Sequence, residues 1–170
     1  MSLNDGDPAI NERTFEARHP MTSLTSISSF LAQRSFAVVG VSRTGKKFGN
    51  SIYMMLKERG CRVFPVNPFT DIVDGDRCYP RLRDLPEKVG GVVVVVPPKQ
   101  TESIVKEAAD AGIQRIWMQQ GSESRKAIQY CEQYGIDAVY GQCLFMFAEP
   151  VGSFHKFHKW ARKLMGRLPG

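Results

Sequence analysis

The sequence predicts one α/β domain: a doubly wound, mostly parallel five-stranded sheet with helices on both faces. Three observations carry this. Short apolar runs alternate with segments of helical periodicity from Phe36 to Tyr140. Helical segments stop at Gly60, Gly112 and Gly135, the residue type that closes a helix in a left-handed turn. The links are short, so successive strands should run parallel, joined by right-handed crossovers.

Taken in order, residues 1–21 are polar and include Gly6, Pro8 and Pro20, as expected of a flexible N-terminal arm. The domain proper is expected over 22–150. It opens with a short helix over Thr25–Gln33, with Ile27, Phe30 and Leu31 at helical spacing. Phe36-Ala37-Val38-Val39 is a continuous apolar run ending at Gly40, the pattern of a strand buried on both faces. Gly49–Arg59 reads as a helix with Ile52, Met55 and Leu56 inward, and Arg62–Val66 as the second strand. Val92–Val96 forms the third strand, Thr101–Ala111 a helix, and Arg115–Met118 the fourth strand. Ser124–Tyr134 is a helix and Asp137–Tyr140 the last strand. In a Rossmann-like domain of this kind, ligands sit beyond the carboxyl ends of the strands, where strand order reverses. Candidate residues therefore fall in 40–49, 67–69, 97–98, 119–121 and 142–144.

A chain of 170 residues is long enough for one sizeable core and too short for two. No apolar run approaches the roughly 20 residues that span a bilayer, and the first residues lack the basic flank and apolar core of a signal peptide. Cys61, Cys78, Cys131 and Cys143 are scattered, without the spacing of a zinc site or a disulfide scaffold. A reducing cytoplasm is expected. The net charge of +6 is concentrated at the C-terminus, where Val151–Gly170 holds Lys156, Lys159, Arg162, Lys163 and Arg167 and no acid. The body is nearly neutral, which argues against a nucleic-acid-binding surface. In 151–170, Phe154, Phe157, Ala161, Leu164 and Leu168 share one helical stripe opposite the bases. This basic amphipathic helix is expected to pack on its own domain or on a second copy, forming a homodimer in the latter case. Membrane attachment is not expected.

The loop after the first strand, Gly40-Val41-Ser42-Arg43-Thr44-Gly45-Lys46-Lys47, comes near three motifs and completes none. The dinucleotide fingerprint would need glycine at Ser42, and the P-loop a hydroxyl at Lys47. The nucleophile elbow would need glycine at Thr44. The shared physics remains: a glycine turning sharply off a strand, hydroxyls at Ser42 and Thr44, cations at Arg43, Lys46 and Lys47, and a helix start that attracts anions. The loop is expected to bind phosphate. A Cβ at Gly40 would intrude on that phosphate, so Gly40→Val should abolish binding and leave the fold intact. The second strand ends Val66-Asn67-Pro68, an apolar ledge able to pack against adenine. It lacks the acid that accepts ribose hydroxyls in NAD-binding proteins.

The order of these segments resembles the CoA-binding domain family, the fold of the N-terminal domain of the succinyl-CoA synthetase alpha subunit and of many small stand-alone bacterial proteins. Beyond the Gly40 loop and Pro65-Val66-Asn67-Pro68, the likeness extends to Tyr79-Pro80 with Leu82, Asp84 and Leu85-Pro86. It continues through Val94-Val95-Val96-Pro97-Pro98, Trp117-Met118-Gln119-Gln120-Gly121 and Gln142-Cys143-Leu144, covering about Ser35 to Phe147. The resemblance implies coenzyme A or an acyl-CoA as ligand. It places Gly40, Val41, Ser42, Arg43, Lys46 and Lys47 at the phosphates and Val66, Asn67 and Pro68 by the adenosine. Val96 and Pro97 would line the cleft, and Gln119 and Gly121 would face its floor. The family often has arginine where Gln142 stands. No counterpart of the synthetase's ligase domain or its phosphorylated histidine is expected in this chain, whose histidines are His19, His155 and His158. Nothing pairs a base with Ser42, and Cys143 reads as an apolar filler. A binding module is thus favoured over an enzyme. An NAD(P)-binding or redox-sensing domain, and a protein-interaction module with a vestigial cleft, are the alternatives.

Overall fold

The computed structural model describes residues 22–147, so the expected arm at 1–21 and the expected helix at 151–170 lie outside the described residues. The elements are α1 (Leu24–Leu31), β1 (Ser35–Val39), α2 (Phe48–Glu58), β2 (Arg62–Val66), β3 (Ile72–Val73) and β4 (Asp76–Arg77). A 3-10 turn (Leu82–Asp84) leads to β5 (Gly91–Val94), α3 (Pro98–Asp110), β6 (Arg115–Gln119), α4 (Arg125–Gln133), β7 (Asp137–Gln142) and α5 (Leu144–Phe147). The main sheet has the order β2-β1-β5-β6-β7 with every pair parallel. Strand order reverses between β1 and β5, and that is where an open α/β sheet places its ligand crevice.

The continuous apolar strands are explained by what covers them. On one face Phe36, Val38, Val93, Trp117 and Val139 meet Ile27 and Phe30 of α1 and Ile52, Tyr53 and Leu56 of α2. On the other, Ala37, Val39, Val92, Val94, Ile116 and Met118 meet Ile104, Val105 and Ala108 of α3 and Ala127, Ile128 and Cys131 of α4. Successive residues of a strand point to opposite faces, so neither face can be polar. Trp117 is fully buried, its ring against Phe30 and Phe147 at centroid distances of 5.4 and 5.9 Å.

Helix α1 ends at Leu31 rather than Gln33 and β7 runs on to Gln142 rather than stopping at Tyr140; two further differences have a clear physical cause. The valine run continues to Val96, but β5 ends at Val94. Val95 N still donates to Val39 O, yet beyond it β1 has turned away at Gly40 and the ladder has no partner. Helix α3 begins at Pro98, not Thr101, because proline is well suited to a first turn whose N–H groups have no partner. The structure also adds the hairpin β3–β4. Its turn is Asp74-Gly75, with φ of 49° and 84°, the two positive values that a type I′ turn requires.

Candidate functional site

Gly40 leaves β1 at the switch point with φ 108°. A Cβ built there would lie 2.2 Å from Val95 O and 2.7 Å from Val95 C. The residue is therefore a glycine because the chain leaving β5 crosses directly against it. The expectation that Gly40→Val would remove only a ligand is corrected: the substituent would strike the protein's own backbone first. Gly49, in the first turn of α2, repeats the constraint from the other side, since its Cβ would fall 2.5 Å from Gly40 O. The two glycines thus share the roles of the outer glycines of a dinucleotide fingerprint, one for the turn and one for close helix–strand packing.

Between them the loop is held by Asn50, which is only 2% exposed. Its Nδ2 donates to Ser42 O at 2.8 Å and its Oδ1 accepts Ser42 N–H at 2.8 Å. The same Nδ2 lies 3.4 Å from Asp74 Oδ2, joining the tip of the β3–β4 hairpin to the loop. Thr44 N–H donates to Ser42 Oγ, and Gly45 N–H to Ser42 O at 3.2 Å. Arg43, Lys46 and Lys47 are exposed, and among the described residues no ion pair engages them. Lys47 stands at the N-cap of α2, which has no side-chain cap bond and no acid in its first turn. Helix α3, which follows β5, also lacks a side-chain cap, whereas Ser23 and Ser124 cap α1 and α4. Of α1 to α4, the two starts without a side-chain cap are those that follow the two switch-point strands. Their positive dipole ends, with three free cations beside one of them, suit a polyanionic group.

The remaining candidates are placed as follows. Val41 and Val66 are buried, one in each core. Asn67 donates through Nδ2 to Val41 O at 2.6 Å, accepts Phe69 N–H on Oδ1 at 2.8 Å, and pairs its own N–H with Tyr79 O. It joins the exits of β1 and β2. Pro68 is exposed beside it. Val96 is half-buried and Pro97 exposed at the start of α3, with the Val96 side chain 3.1 Å from the position of a Gly40 Cβ. Gly40 to Lys47, Val66 to Pro68, Val96 and Pro97 therefore gather at one end of β2, β1 and β5. Gln119 and Gly121 lie one strand further out. Gln119 is 5% exposed and accepts Leu144 N–H on Oε1 at 3.1 Å, holding α5, while the Gly121 amide donates to Glu123.

Asn50 and Asp74 escaped the sequence reading. Both had a signal: a polar residue beside apolar positions on an amphipathic helix, and an Asp-Gly pair after Ile72-Val73. A separate cavity of about 340 Å³ lies along the outer edge of β2, lined by Tyr53, Lys57, Arg62, Phe64, Asp76 and Tyr79 among others. Lys57 and the Tyr53 hydroxyl both hydrogen-bond to Asp76 there. Those bonds hold the Asp76 carboxyl below the ordinary carboxylate range, while burial and then the bond to Asp76 push the Tyr53 hydroxyl up. The cysteines are all free, and burial raises the Cys131 thiol to about 12, which leaves it inert. Among the described residues no helix is long and apolar enough to cross a membrane.

The chain can be set beside known proteins. It is 38% identical over 82 residues to the ADP-forming acetate–CoA ligase II of Archaeoglobus fulgidus, covering 47% of this chain and 12% of the ligase. It is 26% identical over 126 residues to the alpha subunit of ADP-forming acetate–CoA ligase II of Pyrococcus furiosus, covering 68% of this chain and 28% of that one. The chain thus spans less than a third of the length of each of these curated relatives. A solved conserved hypothetical protein from Pyrococcus furiosus superposes with a TM-score of 0.64 at 38% identity, covering 67% of this chain and 98% of that one. Residues 34–149 match the CoA binding domain family, and with that match over most of its length the chain belongs to it.

Proposed function

We propose that the chain binds coenzyme A or an acyl-CoA without transforming it, the phosphates being held at the Gly40–Lys47 loop. One observation carries the reading: at the switch point, the uncapped start of α2 coincides with the free cations Arg43, Lys46 and Lys47. A ligand with several phosphates matches that charge, and family membership supplies the prior for coenzyme A. The loop's hydroxyls favour binding over catalysis. Ser42 Oγ lies 3.0 Å from Thr44 Oγ1 and accepts the Thr44 amide, and these neighbours supply no general base. NAD is disfavoured at the end of β2. The ribose-accepting acid of NAD sites is replaced by Asn67, whose amide is engaged by Val41 and Phe69.

Isothermal titration and thermal shift with coenzyme A and NAD at equal concentration test this. Coenzyme A should give the larger stabilisation, and native mass spectrometry of protein purified without added ligand should carry a mass of coenzyme A or an acyl derivative. A larger response to NAD would overturn the assignment.

A further inference from the structure

The cavity of about 340 Å³ along the outer edge of β2 has no residue of the Gly40–Lys47 loop in its walls. Its size is at the small end of the roughly 300–1,000 Å³ of ligand pockets. The edge strand is closed to a further strand at this point. Pro65 has no N–H to offer, its carbonyl accepts Tyr79 N–H at 2.9 Å, and Tyr79 O accepts Asn67 N–H at 2.9 Å. The space therefore suits a small molecule and not an extended peptide. Val63, Phe64 and Pro65 supply an apolar wall, and the Phe64 and Tyr79 rings meet edge to face with centroids 5.9 Å apart.

The charges around the cavity cancel in pairs, with one exception. Lys57 is matched by Asp76, and Arg62, at the start of the strand, by Glu87. The Tyr53 hydroxyl donates to Asp76 as well, and burial together with that bond keeps its proton in place. Arg77 is left over. Its guanidinium lies over the Tyr79 ring, 5.2 Å from the centroid, and among the described residues no ion pair engages it. One positive charge is thus held on an aromatic face at the rim of an apolar wall.

We propose that this cavity binds a small carboxylate with a flat apolar body, the carboxylate on Arg77 and the body against Val63, Phe64 and Pro65. A guanidinium presents a planar fork that a carboxylate fits with two parallel bonds. A single unmatched cation calls for a single negative charge, and a phosphate monoester carries nearly two. The site is distinct from the loop and does not depend on the coenzyme A reading.

Isothermal titration of the full-length chain with benzoate tests this, with benzamide as the probe of the same shape and no charge. Benzoate should bind saturably, and benzamide about tenfold more weakly. Backbone amide shifts should move from Arg62 to Phe64 and from Asp76 to Tyr79, and stay in place from Gly40 to Lys47. Arg77→Gln changes an exposed side chain, so it should melt as wild type does and bind coenzyme A unchanged while losing about tenfold in benzoate affinity. Lys47→Ala should keep the benzoate affinity of wild type. Equal binding of the two probes would overturn the carboxylate assignment, and so would the absence of saturable benzoate binding. Benzoate shifts confined to Gly40–Lys47, or benzoate affinity lost in Lys47→Ala but kept in Arg77→Gln, would place the anion on the loop and overturn the cavity as its site.

Discussion

Replacing Gly40 by alanine should damage the fold before it touches any ligand. The new Cβ would sit 2.2 Å from Val95 O, 0.8 Å inside the 3.0 Å limit that real Cβ contacts respect. Neither side can easily retreat, because Gly40 N–H donates to Val66 O and Val95 N–H to Val39 O. Overpacking of this kind costs about 1–3 kcal/mol, and a φ of 108° in a residue with a side chain adds about 1–3 kcal/mol of backbone strain. A total of roughly 2–6 kcal/mol is a large share of the 5–15 kcal/mol that holds a typical domain folded. Gly60→Ala is the control. It has φ 75° with nothing within 4 Å of its Cβ, so it carries the backbone penalty alone, about 1–2 kcal/mol. Urea unfolding followed by circular dichroism should rank Gly40→Ala well below Gly60→Ala in midpoint at equal slope. Equal midpoints would refute the claim that Gly40 is required by the approach of Val95.

Since Gly40 cannot separate binding from folding, Lys47→Ala is the cleaner probe of the loop. It should leave the melting temperature unchanged and weaken coenzyme A by about 10- to 150-fold in calorimetry, the scale of one hydrogen bond to a charged group. Asn50→Ala removes both bonds to the Ser42 backbone and should lower stability by about 1–3 kcal/mol in urea and weaken coenzyme A as well. The pH dependence of stability tests Asp76. Its folded carboxyl is held below the ordinary range by Lys57 and Tyr53, so it contributes stability above the unfolded pKa and loses it as pH falls through the folded one. Urea unfolding from pH 5 downward should therefore show a shallower loss in Asp76→Asn than in wild type, and parallel curves would contradict the network.

The sheet was legible because its strands contain nothing but apolar residues where both faces are covered. Phe36 to Val39 and Val92 to Val94 have no other stable destination. The ends of elements were harder, for a reason visible at Val95. Its side chain is as strand-like as that of Val94, but pairing stops where the neighbouring chain turns at Gly40, and that is a fact about β1. The place of the loop was legible from Gly40 and its following cations. Its internal support was not, because Asn50 acts across eight residues on Ser42 and Asp74 across the hairpin, and neither contact has a periodicity to reveal it. The role of Gln119, the last residue of β6, was equally illegible: its amide oxygen accepts Leu144 N–H from a segment 25 residues away.

How the loop would hold the proposed phosphates follows from where its own donors point. Ser42 N–H is engaged by Asn50, Thr44 N–H by Ser42 Oγ and Gly45 N–H by Ser42 O. These amides brace the turn, so this loop departs from a P-loop, whose backbone N–H groups cradle the ligand. On the proposed reading, the attraction would rest on Arg43, Lys46 and Lys47 together with the uncapped start of α2. Exposed side-chain charges are screened over about 10 Å at 0.1 M salt and about 3 Å at 1 M, whereas donors enclosing an anion are screened far less. Affinity for coenzyme A should accordingly fall by about tenfold between 0.05 and 0.5 M sodium chloride. Asp74 sharpens the expectation, since its carboxylate, 3.3 Å from the position of a Gly45 Cβ, opposes the same cations' pull on a phosphate. Asp74→Asn should therefore tighten binding at low salt, with the gain shrinking as salt rises. A salt-independent affinity, or weaker binding in Asp74→Asn at low salt, would show that the ligand is held by something other than these three cations.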